Sequence, residues 1–375
     1  MEASGGASPE LIYSLRRVSE SAALAAFNWV GRGDGMDGGQ AALDAMLGAL
    51  SEVDIDAVVV IGEAGKGEAP QPSRGERLGR PGSTFKADIA VDPVEGTSYL
   101  ARGQTNALAV LAVAPRGAMM NPAPAFYMEK FVAPAPARGK IDPAWSTGRK
   151  LRVLAQALNK DVSQLTIYVL EKPRHRELID DIIKIGARVA LYPAGDVAGA
   201  LLAAIPGSGI DALMGTGGTP EGIMSACAVR ALGGEFLARI DPQLHTEAKA
   251  VREAGISTTR WYARDELIAS DDVFFCATGI TTGLMLEGVE RTQTHYKVQT
   301  MMVAGAVGER QVLTSYLPRE RLDRALRRAT GEVAAVRRLK RHAQIEQDAR
   351  AVVGGDLDAH AADLAAAAVD DVVRS

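Results

Sequence analysis

The sequence predicts an α/β fold, because short apolar runs rich in β-branched residues alternate with segments in which apolar side chains recur at helical spacing. In the second half of the chain the alternation is regular, and strands at 166–170 and 188–192 are each followed by a helix. In the first half, helices at 12–30 and 40–50 precede the strands. Further strands are predicted at 57–61, 87–91, 107–114, 126–132 and 273–277, with a hairpin within 293–304.

The length indicates more than one structural part. A chain of 375 residues can bury one large core or form two lobes. We expect an N-terminal α+β lobe over residues 1–150 and an α/β lobe over residues 151–320. Residues 321–375, rich in Arg, Ala and Asp, are predicted to form a peripheral helical tail.

The composition excludes several function classes. A net charge of -4 argues against a nucleic-acid binder that depends on phosphate contacts. No apolar stretch reaches the roughly 20 residues that span a bilayer, and the N-terminus has no secretory signal pattern. Cys227 and Cys276 lie in apolar surroundings, which favours reduced core residues. We therefore expect a soluble cytoplasmic protein that binds neither nucleic acid nor membrane.

Two carboxylates follow the strand predicted at 87–91, in the hexapeptide Asp92-Pro93-Val94-Glu95-Gly96-Thr97. Pro93 has no N–H group and is expected to stop the strand ladder. Carboxylate oxygens on a rigid edge suit a hard cation such as Mg²⁺. A turn at Gly96 can offer N–H groups to a phosphate, and Thr97 can orient a water. The structural alternative is an acidic turn without a chemical role.

Further acidic residues follow other predicted elements. Glu63 comes after the strand at 57–61, and ligands collect at strand ends in open α/β sheets. The segment 31–39 contains five glycines and is predicted to be a mobile or ligand-binding loop. Glu221 falls in the first turn of a predicted helix, where a favourable interaction with the helix dipole is by itself the simpler explanation.

Seven motifs occur in the order found in one enzyme family. They are 62–63 with 68–70, 88–97, 106–113, Tyr127-Met128-Glu129-Lys130, Lys172-Pro173-Arg174-His175, 217–222 and 277–281. With these motifs the chain resembles a class II fructose-1,6-bisphosphatase, the bacterial type that in some lineages also acts on sedoheptulose 1,7-bisphosphate. The resemblance implies the layered α-β-α-β-α sandwich of the metal-dependent, lithium-sensitive sugar phosphatase superfamily.

The resemblance also implies an activity and a set of site residues. The activity is hydrolysis of a sugar (bis)phosphate by a metal-activated water, with Mg²⁺ or Mn²⁺, in a homodimer or homotetramer. The metal would lie in the first lobe and the sugar phosphate in the second. The implied catalytic residues are Thr97 and Glu63, and the implied metal ligands are Glu63, Asp92, Glu95 and Glu221, with Asp37 as a further candidate. The implied substrate contacts are Glu95, Gly96, Thr97, Tyr127, Lys172, Arg174, Asp196 and Glu221.

Several positions depart from the family pattern, all in or beside the implied site. Where the pattern has charged side chains, this chain has Gly35, Gly39, Gly65, Gly67 and Ala194. Losing a general base typically costs about 10²–10⁴-fold in rate, whereas the four implied metal ligands persist. The main hypothesis is therefore a sugar (bis)phosphate phosphatase. The alternatives are elimination or isomerisation of a sugar phosphate or sugar nucleotide on the same scaffold, and a non-catalytic sugar-phosphate-binding protein.

Overall fold

The computed structural model describes residues 8–61, 72–305 and 308–320. Within these ranges the backbone forms nine α-helices and fourteen β-strands. The helices are α1 (Pro9–Phe27), α2 (Gly35–Leu50), α3 (Thr97–Arg102), α4 (Thr147–Leu158), α5 (Arg176–Ile185), α6 (Asp196–Ala204), α7 (Thr219–Ala231), α8 (His245–Glu253) and α9 (Arg264–Leu267). The strands are β1 (Asp56–Ile61), β2 (Arg77–Leu78), β3 (Lys86–Glu95), β4 (Leu108–Pro115), β5 (Tyr127–Ala133), β6 (Thr166–Leu170), β7 (Arg188–Tyr192), β8 (Ala212–Gly218), β9 (Glu235–Ile240), β10 (Trp261–Ala263), β11 (Phe274–Gly279), β12 (Glu290–Arg291), β13 (His295–Ala304) and β14 (Glu309–Pro318).

The strands of the described residues form two mixed sheets. Sheet 1 has eight strands in the order β12-β13-β11-β4-β3-β1-β2, with β14 paired to β13. Strand β3 runs parallel to β1 and antiparallel to β4, so β1 and β3 end at the same edge. Sheet 2 has six strands in the order β10-β9-β5-β8-β6-β7, and β6 is parallel to both of its neighbours. The α/β prediction is confirmed.

In the part of the chain that the structure describes, three hydrophobic cores hold the helices against the sheets. The first lies between α1, α2 and sheet 1 and includes Leu15, Met46 and Ile89. The second lies between the two sheets, where α6 and α7 contribute Leu201 and Met224. The third packs α4 and α5 against the other face of sheet 2. Each large apolar side chain that is fully buried in these cores stabilises the fold by about 1.5–3 kcal/mol.

The glycine-rich segment 31–39 is not a loop throughout, so that prediction is wrong for its second half. Helix α2 begins at Gly35, because the Asp34 side chain accepts hydrogen bonds from two N–H groups of the first turn, at 2.9 and 3.0 Å. Gly38 lets the helix approach its neighbour closely, since a Cβ there would lie 2.6 Å from Leu100 Cδ2. At this position the missing side chain serves close packing.

Strand β3 continues through Pro93 to Glu95, so the prediction that Pro93 stops the ladder is wrong. The register with β4 shifts between Asp92 and Glu95, which is a β-bulge, and a bulge tolerates a residue that cannot donate a ladder hydrogen bond. The Asp92 carboxylate accepts the N–H of Val94 at 3.0 Å and so satisfies the backbone inside the bulge. The bulge carries both carboxylates on one rigid strand.

The hairpin predicted within 293–304 is also wrong. This segment holds a single strand, β13, which pairs with β14 from His295 opposite Pro318 to Ala304 opposite Glu309. The partner strand was missed because most of its side chains are exposed and it has no buried apolar run.

Two predicted features lie outside the described residues, namely Glu63 with its motif at 62–70 and the tail at 321–375. The lobe boundaries after residues 150 and 320 stay predictions. Among the helices that the structure describes, none is both long enough and apolar enough to cross a membrane.

Candidate active site

The carboxyl end of β3 forms one side of the candidate site. Asp92 and Glu95 are both buried, with 6% and 4% of their surface exposed. Gly96 follows with φ 84°, in the left-handed region that favours glycine, and a Cβ there would lie 2.7 Å from the Tyr99 ring. Thr97 is half-buried at the start of α3, and its hydroxyl donates to a backbone carbonyl oxygen at 3.2 Å. The bulge and the turn hold four predicted site residues together, namely Asp92, Glu95, Gly96 and Thr97.

The junction of β8 and α7 forms the opposite side. A Cβ on Gly217 would lie 1.9 Å from Asp196 Oδ2, and a Cβ on Gly218 would lie 1.8 Å from Glu221 Oε2. These glycines therefore leave the space that the carboxylates of Asp196 and Glu221 occupy. Glu221 does lie in the first turn of α7, as the helix-dipole explanation requires, but its carboxylate also reaches the strand end.

The turn before α6 connects the two sides. Gly195 has φ 95° and precedes Asp196, the first residue of α6. The Tyr99 hydroxyl donates to the Ala194 carbonyl oxygen at 2.8 Å and accepts the Ala194 N–H at 3.0 Å. Tyr168 from β6 donates to the Gly195 carbonyl oxygen at 2.9 Å. Because backbone polar groups that are shielded from water need partners, these hydroxyls fix the turn to α3 on one side and to β6 on the other.

The carboxylates of the two sides gather around Glu95. Burial raises the pKa of Glu95 well above its usual value, and the negative charges of Asp92, Glu221 and Asp196 raise it further. Glu95 Oε1 accepts the N–H of Val197, at the start of α6, at 3.4 Å. Its other oxygen, Oε2, is buried and has no hydrogen-bond partner among the described residues. Such an oxygen is costly unless a further group pairs with it.

A buried lysine lies beside this cluster. Lys130 of β5 is buried, and its ammonium donates to Asp196 Oδ2 and to the Gly218 carbonyl oxygen, the latter at 2.7 Å. Sequence reasoning assigned Lys130 no role, although it stands within the Tyr127 motif. Its neighbours two positions away on the same face of the strand, Met128 and Val132, are apolar and buried, and this is the signal that could have found it, since buried lysines are almost always paired.

A basic side chain covers the outer face of the same strand ends. The Arg174 guanidinium donates to the Thr216 carbonyl oxygen through Nε (3.0 Å) and Nη2 (2.8 Å), and it lies 5.2 Å from the centre of the Tyr127 ring. His175 bridges the Leu170 carbonyl oxygen (2.7 Å) and the Thr216 N–H (2.8 Å), and burial lowers its pKa. The neutral His175 ring thereby supports the end of β8, which Arg174 contacts through Thr216.

The remaining residues that the sequence predicted for the site lie outside the carboxylate cluster. Lys172 is half-buried just before the turn that carries Arg174. Asp37 is exposed in the first turn of α2. Gly35, at the start of that helix, lies against Thr97, and a Cβ there would come within 2.6 Å of Thr97 Cγ2.

Comparison with known proteins identifies the family. The family model described as bacterial fructose-1,6-bisphosphatase, glpX-encoded, matches residues 9–316. The chain is 42% identical over 309 residues to fructose-1,6-bisphosphatase 1 class 2 of Escherichia coli K12, covering 79% of this chain and 91% of that protein. The chain belongs to the class 2 fructose-1,6-bisphosphatase family. The same identity and coverage relate it to the class 2 fructose-1,6-bisphosphatases of Escherichia coli O6:H1 and Shigella flexneri, and the predicted resemblance is confirmed.

The donor set of this class 2 fructose-1,6-bisphosphatase family member suits a hard divalent cation. Carboxylate oxygens are the ligands that Mg²⁺ and Mn²⁺ prefer. The buried Oε2 of Glu95 and the neighbouring carboxylates fit such an ion, because a cation would offset their mutual repulsion. Within the described residues, no three Asp, Glu, His or Cys side chains already form a complete ligand group. A full set of metal ligands therefore requires a rearranged side chain or a further ligand from outside the described residues.

Proposed function

We propose that this chain hydrolyses fructose 1,6-bisphosphate or a closely similar sugar bisphosphate, with Mg²⁺ or Mn²⁺ as the cofactor. The observation that carries the proposal is the buried Glu95 carboxylate, which has three other carboxylates around it and an oxygen without a partner among the described residues. The named relatives, matched over 91% of their length, are fructose-1,6-bisphosphatases.

The metal would be held by Asp92, Glu95 and Glu221, together with Glu63, which lies outside the described residues. A bound divalent cation would neutralise phosphoryl oxygens and lower the pKa of a bound water. The bulge fixes Asp92 and Glu95 on one strand, and Gly218 leaves room for Glu221 on the other side. We infer that the backbone carrying these three carboxylates is therefore held in place before substrate binds, which limits the reorganisation that catalysis requires.

The other site residues would hold the substrate and move its reacting parts into line. We assign the orientation of the nucleophilic water, or of the departing phosphate, to the Thr97 hydroxyl, with the backbone turn at Gly96 facing the same phosphate. Arg174 and Lys172 would bind the phosphate that is not cleaved, because a guanidinium can donate two parallel hydrogen bonds to it. Tyr127 would support Arg174, and Asp196 would accept hydroxyl groups of the sugar. Binding the remote phosphate orients the reacting end.

Close packing explains one departure from the family pattern. The Cβ of any side chain at position 35 would collide with Thr97 Cγ2, so glycine there permits the observed approach of α2 to α3. The comparisons give no support to an altered reaction or to a non-catalytic protein, because the named relatives are phosphatases. We therefore retain hydrolysis as the function.

We infer further that the three cores correspond to the α-β-α-β-α sandwich of the lithium-sensitive sugar phosphatase superfamily, since helices pack against both faces of each sheet. The buried, free thiols of Cys227 and Cys276 fit the predicted cytoplasmic location. A homodimer or homotetramer stays a prediction.

The decisive experiment measures phosphate release from fructose 1,6-bisphosphate and related sugar phosphates, with and without Mn²⁺. We expect metal-dependent release that Glu95→Gln reduces by at least about 10²-fold, because the variant loses a charged ligand beside the reacting phosphate. Absence of release from every substrate in the presence of Mg²⁺ and Mn²⁺ would overturn the proposed function.

A further inference from the structure

Lys130 lies where a positive charge affects both sides of the candidate site. Its side chain is only 1% exposed, and that of its partner Asp196 is 8% exposed. The lysine stem lies close to α7, since a Cβ on Gly222 would come within 3.2 Å of Lys130 Cε. A charge this deeply buried persists only when it is paired, so the ion pair with Asp196 is part of the folded structure.

The same ammonium fixes two turns. Through Asp196 it holds the first residue of α6, and through the Gly218 carbonyl oxygen it holds the end of β8. Gly218 is also the residue whose missing side chain leaves space for the Glu221 carboxylate. Lys130 therefore contacts one implied substrate residue directly and supports the backbone beneath one implied metal ligand.

We propose that Lys130 is a positioning residue that keeps Asp196 out of the metal's ligand set and reserves its carboxylate for the sugar. This inference rests on the proposed function. An ammonium bonded to Asp196 Oδ2 occupies one carboxylate oxygen and repels a divalent cation from it. Lys130 thereby lowers the affinity of the site for metal and raises its affinity for the sugar phosphate.

The experiment is Lys130→Met, which keeps a stem of similar length and removes the charge. Calorimetric titration of the purified, metal-free protein with Mn²⁺ is expected to show binding about tenfold tighter than in the unsubstituted protein, the order of effect of removing one like charge beside a bound ion. The KM for fructose 1,6-bisphosphate is expected to rise, and kcat is expected to change less. General damage to the site would instead weaken metal binding.

Asp196→Asn and the double variant Lys130→Met/Asp196→Asn complete the cycle. Removing both charges of a buried pair is often neutral for stability, so the double variant keeps the test valid if the single variant fails to fold. If Lys130 acts on the sugar through Asp196, Lys130→Met raises KM in the unsubstituted protein but not in the Asp196→Asn background. Additive increases in KM, or unchanged or weaker Mn²⁺ binding by a folded Lys130→Met protein, would overturn the proposal.

Failure of this inference is distinguishable from failure of the proposed function. The Mn²⁺ titration reports on Lys130 whether or not phosphate is released. If the unsubstituted protein hydrolyses the substrate but Lys130→Met binds Mn²⁺ no more tightly, only the role of Lys130 is wrong. If no phosphate is released by any form, the proposed function is wrong. Tighter Mn²⁺ binding by Lys130→Met would in that case still support the inference that the Lys130 charge repels the metal ion.

Discussion

The hydroxyl of Tyr99 and the backbone of Ala194 exchange two hydrogen bonds, 2.8 Å to the carbonyl oxygen and 3.0 Å from the N–H group. These two residues belong to different parts of the fold, because Tyr99 lies on α3, between β3 and β4 of sheet 1, and Ala194 follows β7 of sheet 2. Tyr168 donates to the same Ala194 carbonyl oxygen at 3.1 Å. One backbone position thus joins the two sides of the candidate site.

Replacing Tyr99 with phenylalanine tests this connection. The ring keeps its packing, but the N–H group of Ala194 loses its hydroxyl partner. We expect Tyr99→Phe to lower the free energy of unfolding by about 0.5–1.5 kcal/mol, the net contribution of a typical hydrogen bond, because Ala194 is half-buried. We also expect a higher KM, because the turn that carries Asp196 loses one of its supports. Urea unfolding and steady-state kinetics measure the two effects.

The matched control is Tyr316→Phe on β14, where the side chain is 64% exposed. An exposed hydroxyl exchanges its partners with water, so this change is expected to stay within about 0.5 kcal/mol of the unsubstituted protein. Equal losses of stability in the two variants would show that the bonds to Ala194 add nothing specific.

Gly218→Ala tests whether the end of β8 is shaped by the Glu221 carboxylate. The backbone of Gly218, with φ −64° and ψ 141°, suits any residue, so an effect of alanine would come from its methyl group. That methyl group would lie 1.8 Å from Glu221 Oε2, and the carboxylate would have to move. We expect kcat/KM to fall by about 10²-fold, as it does when a catalytic group is displaced by about 1 Å.

Gly48→Ala is the control for a glycine without such a neighbour. Gly48 lies within α2, and a Cβ there would have no atom within 4 Å. Alanine is the better helix former, so this variant is expected to be more stable by about 0.5–1 kcal/mol with unchanged activity. Full activity in Gly218→Ala would mean that Glu221 does not need its observed position.

The local elements were predictable from the sequence, because their signals are short in range. Strands β6 and β7 have the predicted bounds, since each is a brief run of apolar and β-branched residues between turn residues. The carboxylates of Asp92 and Glu95 were also found, because Asp92 directly follows such a run and Glu95 lies three residues further on. The bulge that carries them was not, since a proline in a strand normally signals its end.

The contacts that assemble the site were not predictable from local patterns. Lys130 and Asp196 are separated by 66 positions, and Tyr99 and Ala194 by 95. The first pair joins β5 to α6 and the second joins α3 to the turn before α6, and no periodicity in the sequence connects the partners. Sequence reasoning therefore identified individual acidic residues at the ends of helices and strands. It missed Lys130, Tyr99 and Tyr168, which hold the turn before α6 and the end of β8 in place.

Arg174→Lys tests the assignment of the uncleaved phosphate. The guanidinium is held by two hydrogen bonds to the Thr216 carbonyl oxygen and lies over the Tyr127 ring. A lysine ammonium cannot reproduce this planar arrangement. We expect KM for fructose 1,6-bisphosphate to rise by about 10–100-fold, the value of one or two lost charge-assisted hydrogen bonds. Steady-state kinetics with a sugar monophosphate as a second substrate separates the two phosphates.

Arg176→Lys serves as its control, because Arg176 is an exposed residue two positions further along, at the start of α5. It is expected to leave KM within about twofold of the unsubstituted value, since a surface charge is kept. If Arg174→Lys raised KM for the monophosphate as strongly as for the bisphosphate, its contact would be with the reacting phosphate instead.

Glu95→Gln tests the electrostatics of the carboxylate cluster without any substrate. The pKa of Glu95 is raised in the folded protein above its ordinary 4.5, so the folded state holds a proton that the unfolded state releases above that pH. In the metal-free protein the free energy of unfolding therefore falls as pH rises from 4.5 through the folded-state pKa. With glutamine at position 95 this fall in the free energy of unfolding disappears, because glutamine carries no charge to repel Asp92, Glu221 and Asp196.

We therefore expect metal-free Glu95→Gln to be more stable than the unsubstituted protein at pH 7 by at least about 1 kcal/mol, and equally stable below pH 4.5. Saturating Mn²⁺ should reverse the order, since only the unsubstituted protein keeps the charged ligand. Glu253→Gln, on the exposed end of α8, should show neither effect. A Glu95→Gln protein that is less stable at pH 7 without metal would mean that the Glu95 charge is offset by the protein itself.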